Sequence, residues 1–307
     1  MDFLLTLSVL LIILAAVYGV LLWARKAETD RSANVGLYLL YGIPGLLLTV
    51  TGVALLANGH EDGWFVLAFG LAFSLPLIRG FRKLLSYVTP LDPASPIDMM
   101  GLGVIFALFA YFSYAMSLGP ADEPIEGVTV GAQLINVLFF VAVAYVAVGT
   151  GNYRNVDEVT ARLGFTRPTL QDFAVGAAAV VPTFGLSILG SMLTLWFQPD
   201  RFEDLGETME EMASGTDFTI VSLLIFASAG IGEEILFRGA IQPRFGIVIT
   251  AALWALVHTQ YQLTFVVLGL FLAGILFGLI RKYMSTTPAI IAHALYNAAV
   301  VALQGVG

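Results

Sequence analysis

Cysteine is absent from the 307 residues. Disulfides, thiolate nucleophiles and cysteine-ligated zinc are therefore excluded. Charge is scarce. Charged residues make up 12% of the chain and hydrophobic residues 58%, whereas soluble domains carry about 25% charged residues. Lysine occurs only at 26, 83 and 282, so arginine supplies eleven of the fourteen basic residues. The net charge is −8. Acidic, lysine-poor loops suit a strongly screening solvent such as high salt, and they also repel anionic partners. Nucleic acid is not an expected partner.

What the chain has instead is long apolar runs. Ten segments can be read, at 3–23, 35–57, 63–79, 98–119, 129–150, 173–197, 216–241, 245–258, 263–280 and 287–304. Runs of this kind define transmembrane helices of about 20 residues. The eighth is short for a full span, which suggests a tilted, re-entrant or covered element. The opening "MDFLLTL" lacks the basic n-region of a signal peptide and is expected to be a membrane helix. With the N-terminus outside, every second loop is cytoplasmic. Those loops hold all the loop arginines and lysines except Arg201. The positive-inside rule thus predicts ten spans with both termini outside the cell membrane. The fold class is an all-α polytopic membrane protein of about ten transmembrane helices.

Three regions follow. Residues 1–151 form an N-terminal region of about five helices, 152–172 a cytoplasmic amphipathic connector, and 173–307 a C-terminal helical bundle. The outer stretch 198–217 has no apolar stripe wide enough for a membrane-lying helix, so a solvated, partly helical loop is expected there. No internal repeat is visible, which argues against a transporter built from two halves.

The polar groups sort sharply. All eleven aspartates lie in loops or at segment ends. Only two glutamates, Glu233 and Glu234, lie well inside an apolar run, in "GIGEEILFRG" (230–239). A charge at the bilayer centre costs at least about 2.5–3.5 kcal/mol, so such groups face a protein interior and mark function by default. On a helix Glu234 and Arg238 are i and i+4 and can pair. Glu233 points about 100° away and is open to another partner. A desolvated carboxylate without a cation makes a general base that works near neutrality. The alternative is that both glutamates only brace Arg238. "WALVH" (254–258) adds Trp254 and His258, and "HALYN" (293–297) places His293 and Asn297 on one helical face. Either motif alone is compatible with an interfacial histidine or an interhelical hydrogen bond.

Other chemistries are missing. There is no HExxH, no P-loop and no dinucleotide fingerprint, and "GLSILG" (185–190) lacks the spacing of GxSxG. "GIGE" (230–233) is similar to the GxGD of intramembrane aspartic proteases, but no aspartate inside an apolar run supplies a second carboxylate. Gly274 and Gly278 in "GILFG" signal close helix packing.

Taken in order, EExxxR (Glu233, Glu234, Arg238), aromatic-xxxH (Trp254, His258) and HxxxN (His293, Asn297) resemble the CAAX-protease and bacteriocin-processing (CPBP, or Abi) family. The resemblance covers roughly 170–304, and Trp254 stands where the family usually has Phe, a conservative change. It implies a catalytic C-terminal bundle that cuts membrane-associated or prenylated peptides. Glu233 and His258 would activate a water, and His293 and Asn297 would stabilise the oxyanion. Glu234, Arg238 and Trp254 would support the site. A metal-free mechanism with no cofactor is preferred. The alternative is a divalent ion such as zinc on Glu233, His258 and His293. Membrane lipid and a prenylated or membrane-bound peptide are the expected partners. Two other readings remain at this point: a non-catalytic scaffold or bacteriocin self-immunity factor of the same fold, and a proton-coupled transporter.

Overall fold

Each of the ten apolar segments carries helix in the computed structural model, which describes residues 3–118, 130–214 and 220–304. Residues 119, 129 and 216–219 of the expected segments lie outside the described residues. No named strand occurs among the described residues. Among the described residues, seven helical stretches are long and apolar enough to cross a bilayer, or eight if one bent pair is a single span. Their outer faces are greasy: Ile12 is 67% exposed and Val181 76%. Such faces need lipid as solvent, and the molecule is an all-α polytopic membrane protein.

The first half begins with α1 (Phe3–Lys26) and α2 (Arg31–Ala57). Asp30 caps α2, its Oδ1 accepting the N–H groups of Ser32 at 2.8 Å and Ala33 at 3.3 Å. The third segment is not one straight span. α3 (Gly63–Ser74) passes into a 3-10 turn, Leu75–Leu77, and then bends by 89° into α4 (Arg79–Leu85). Pro76 has no N–H to continue the ladder, and Ile78 is extended. Buried Arg82 fixes the bend, donating from Nε to the Pro93 carbonyl at 2.9 Å and from Nη1 to the Pro76 carbonyl. α5 (Pro96–Ser117) and the shorter apolar α6 (Val130–Ala147) complete this half.

The 152–172 stretch carries α7 (Val156–Leu163), closed by a capping box between Asn155 and Glu158 and by Gly164 in the left-handed region. α8 (Leu170–Phe197) and α9 (Pro199–Ser214) follow. Most of the expected outer loop is thus a helix, α9, and buried Leu205 holds it to the protein. α10 (Ile220–Glu234) widens into a π turn, Ile235–Ile241, and continues as α11 (Gln242–Leu256). A 3-10 turn (Thr259–Tyr261), α12 (Val266–Tyr283) and α13 (Thr286–Gln304) end the bundle.

Residues Ala227–Leu256 pass as one stretch by length and composition, but Gly246 divides them at φ 81. The chain reverses there. Glu233 and Trp254 are 21 residues apart yet hydrogen-bonded at 2.6 Å, whereas a straight helix would separate them by about 31 Å. The arm after Gly246 is about 15 Å long and cannot cross a core of about 30 Å. The short eighth segment is therefore a half-span that folds back against the π turn, with Trp254 reaching Glu233 at the end of α10. α12 covers it closely. A Cβ at Gly274 would meet Trp254 at 3.0 Å, and one at Gly278 would meet Ile247 at 2.7 Å. The main core joins Leu102 and Ile105 of α5 to Phe237, Trp254, Phe277 and Ala292, so the first half buttresses the second.

Candidate active site

Four elements bring the polar groups of the C-terminal bundle together. Glu233 and Glu234 end α10, Arg238 lies in the π turn, Trp254 and His258 lie at the end of α11, and His293 and Asn297 sit one turn apart on α13. α10 and α13 approach closely at Gly230, where a Cβ would meet the His293 ring at 3.0 Å and the Ala294 nitrogen at 3.0 Å. Any larger residue at 230 would push His293 off the glutamates. The start of α13 is tied to the connector. The Thr286 N–H donates to the Gly164 carbonyl at 3.0 Å, and the Thr166 N–H donates to Thr287 Oγ1 at 3.0 Å.

The two glutamates take different partners. Glu234 is fully buried. Its Oε2 lies 3.2 Å from Nε of equally buried Arg238, and its Oε1 accepts from His293 Nδ1 at 3.1 Å. Arg238 also lies over the Trp254 ring at 5.2 Å from the centroid, an attraction that strengthens in a dry site. Its three nitrogens make no well-angled hydrogen bond among the described residues, so charge and the indole face hold it. Breaking such a buried pair from one side costs about 3–5 kcal/mol.

Glu233 faces the other way and is partly open. Its Oε2 accepts the Trp254 indole N–H at 2.6 Å and lies 4.0 Å from His258 Nε2. Glu233 and His258 keep side-chain exposures of 15% and 18%, against 0% for Glu234. His258 Nδ1 is 2.8 Å from the Trp254 carbonyl. A carbonyl only accepts, so Nδ1 carries the proton and Nε2 of the neutral ring presents a lone pair toward Glu233.

Sequence spacing placed Glu234 on Arg238 and left Glu233 for another partner, and both relations hold. The two histidines take different glutamates. His258 goes to Glu233, while His293 goes to Glu234. The reason is that the Trp254 indole stands between them, in edge contact with His258 at 4.9 Å and His293 at 5.4 Å. Glu233, His258 and His293 consequently do not converge, and no group of three His, Asp or Glu among the described residues is arranged to hold a metal ion. Asn297 is half-buried on the same face of α13 as His293.

Two contributions go beyond the sequence reading. Trp254 is not a neutral stand-in for Phe, because its N–H holds the Glu233 carboxylate and Phe has no such donor. Tyr261 stacks on His258 at 6.2 Å. Its place three residues after His258 was the available signal. The 259–261 turn also meets α9: Arg201 Nη1 donates to Gln262 Oε1 at 2.5 Å, and Gln262 is buried at φ 49.

The site is thus a partly open carboxylate–histidine pair beside a buried carboxylate–arginine pair, set in a membrane helical bundle. Residues 215–299 match the family described as type II CAAX prenyl endopeptidase Rce1-like. Over that segment, which holds Glu233, Glu234, Arg238, Trp254, His258, His293 and Asn297, the chain is similar to that family. No curated protein and no solved structure matches the chain.

Proposed function

We propose that the protein is an intramembrane endopeptidase that hydrolyses membrane-associated or prenylated peptides without a metal. The observation that carries this reading is the 4.0 Å separation of Glu233 Oε2 and His258 Nε2, both partly open. That gap is too long for a direct hydrogen bond but admits one water about 2.8 Å from each atom. The water donates one proton toward each acceptor and keeps a lone pair for the scissile carbonyl. Attack forms the C–O bond as Glu233 takes the water proton, and the proton then passes to the leaving amine. Asn297 is assigned to the developing oxyanion; His293 can join it only as an imidazolium, because its Nδ1–H is committed to Glu234. Glu234, paired with Arg238 and His293, orients the His293 ring rather than reacting. The family match supports peptide hydrolysis, and the multi-pass fold supports a substrate in or at the bilayer.

The test is cleavage of a prenylated CAAX peptide by purified protein in proteoliposomes. Glu233→Gln and His258→Ala are each expected to lower the rate at least 100-fold, as removal of a general base does. Undiminished cleavage in both variants, with normal melting temperatures, would refute the assignment.

A further inference from the structure

A polar cavity outside this site lies where the first half meets the connector and the α11 corner. It has a volume of about 530 Å³ and is lined by Arg162, Arg244, Glu28, Asp92 and Asp98, with Ser95 and three prolines among the rest. That size is within the usual range of small-ligand pockets, about 300–1,000 Å³. The lining comes from the α1–α2 turn, the 90–98 stretch, α7 and the corner at Pro243. By the positive-inside reading all of these face the same, cytoplasmic, side.

The charges in the pocket are not evenly matched. Asp98 is spent: it accepts from Arg244 Nη1 and from the Asp92 N–H at 2.7 Å. Arg162 forms no ion pair among the described residues, and its one hydrogen bond runs from Nη1 to the Gly239 carbonyl at 3.3 Å. Burial, followed by the like charges of Arg244, Arg154 and Arg281, holds the Arg162 guanidinium below its ordinary pKa. Apart from the Arg244–Asp98 pair, opposite charges share this pocket without joining. Asp92 Oδ1 caps Ala94, and Glu28 has only a loose, exposed contact with Arg25 at 4.0 Å. A bare anion would meet the acids, and a bare cation would meet Arg162. A ligand carrying both charges satisfies the two walls together.

We propose that this pocket binds a phosphoethanolamine group, its phosphate on Arg162 and its ammonium on Glu28 and Asp92. The phosphate takes the guanidinium edge that faces the cavity. The same guanidinium holds the carbonyl of Gly239, inside the π turn that carries Arg238. Occupancy therefore steadies the turn behind the carboxylate pair. This site does not depend on the protease reading.

The test is the melting temperature of the full-length protein in neutral detergent. The ligands are short-chain phosphatidylethanolamine, short-chain phosphatidylglycerol, free phosphoethanolamine and inorganic phosphate. The ethanolamine lipid is expected to raise it saturably by about 2–5 °C. Free phosphoethanolamine matching the lipid identifies a soluble source, and a weaker effect identifies the bilayer. Arg162→Gln should abolish the rise, and Glu28→Gln should erase the advantage of ethanolamine over glycerol. Glu28 is exposed, so this variant tests the ammonium wall even where Arg162→Gln does not fold. An equal rise in Arg162→Gln, unchanged headgroup preference in Glu28→Gln, or inorganic phosphate as effective as the ethanolamine lipid would overturn the proposal.

Discussion

Trp254 makes two contacts that the aromatic type alone does not supply. Its indole N–H fixes Glu233, and its carbonyl fixes the His258 tautomer. Replacing it by Phe keeps most of the packing against Arg238 and Phe277 but removes the donor. A hydrogen bond to a charged group is worth about 1.5–3 kcal/mol. Trp254→Phe is thus expected to lower kcat by about 10- to 100-fold with KM nearly unchanged, as measured by steady-state kinetics on the prenylated peptide. An equal loss in KM would mean that the residue shapes substrate binding instead. The Glu234–Arg238 pair was legible because helical spacing sets it locally. The Trp254 bond was not legible, because it depends on a chain reversal that no local spacing encodes.

At the scale of elements, the decisive piece is the short arm after Gly246. Its φ of 81 is open to glycine and strained for other residues. A Cβ there meets nothing closer than 3.5 Å, so conformation and not crowding sets the cost. At ψ 171 this is a region essentially restricted to glycine, and Gly246→Ala is expected to destabilise by about 1–3 kcal/mol. Its larger effect should be on rate, because the arm carries Trp254 and His258 toward Glu233. Activity falling further than the melting temperature accounts for is the expected result. The ten apolar segments were readable because periodic apolar runs reflect burial in lipid. The 89° bend after α3 was not, since one proline and the carbonyls clamped by Arg82 decide it. Helix α9 was hard to read for the opposite reason: its many acids mask a face narrow enough to be held by Leu205.

For the whole molecule, charge rather than packing gives the clearest expectation. A net charge of −8 spread over loops repels itself most at low ionic strength. Raising KCl from low to high concentration should therefore raise the melting temperature of the detergent-solubilised protein through screening. A flat or falling curve would remove the argument for a saline setting. The N-terminal half was legible as membrane helices but not in its purpose. The structure assigns it a mechanical role, as α5 completes the core beneath Phe237 and Trp254.

Because a single residue grips both members of the Glu233–His258 pair, their alignment tolerates movement of the arm. The Trp254 ring and carbonyl are separated by a few covalent bonds, so a small tilt of the arm carries the donor to Glu233 and the anchor of His258 together. Errors in the placement of the arm are thus shared by both partners instead of accumulating between them. A half-span in a deformable bilayer keeps its register in the way a caliper does, with both jaws mounted on one bar.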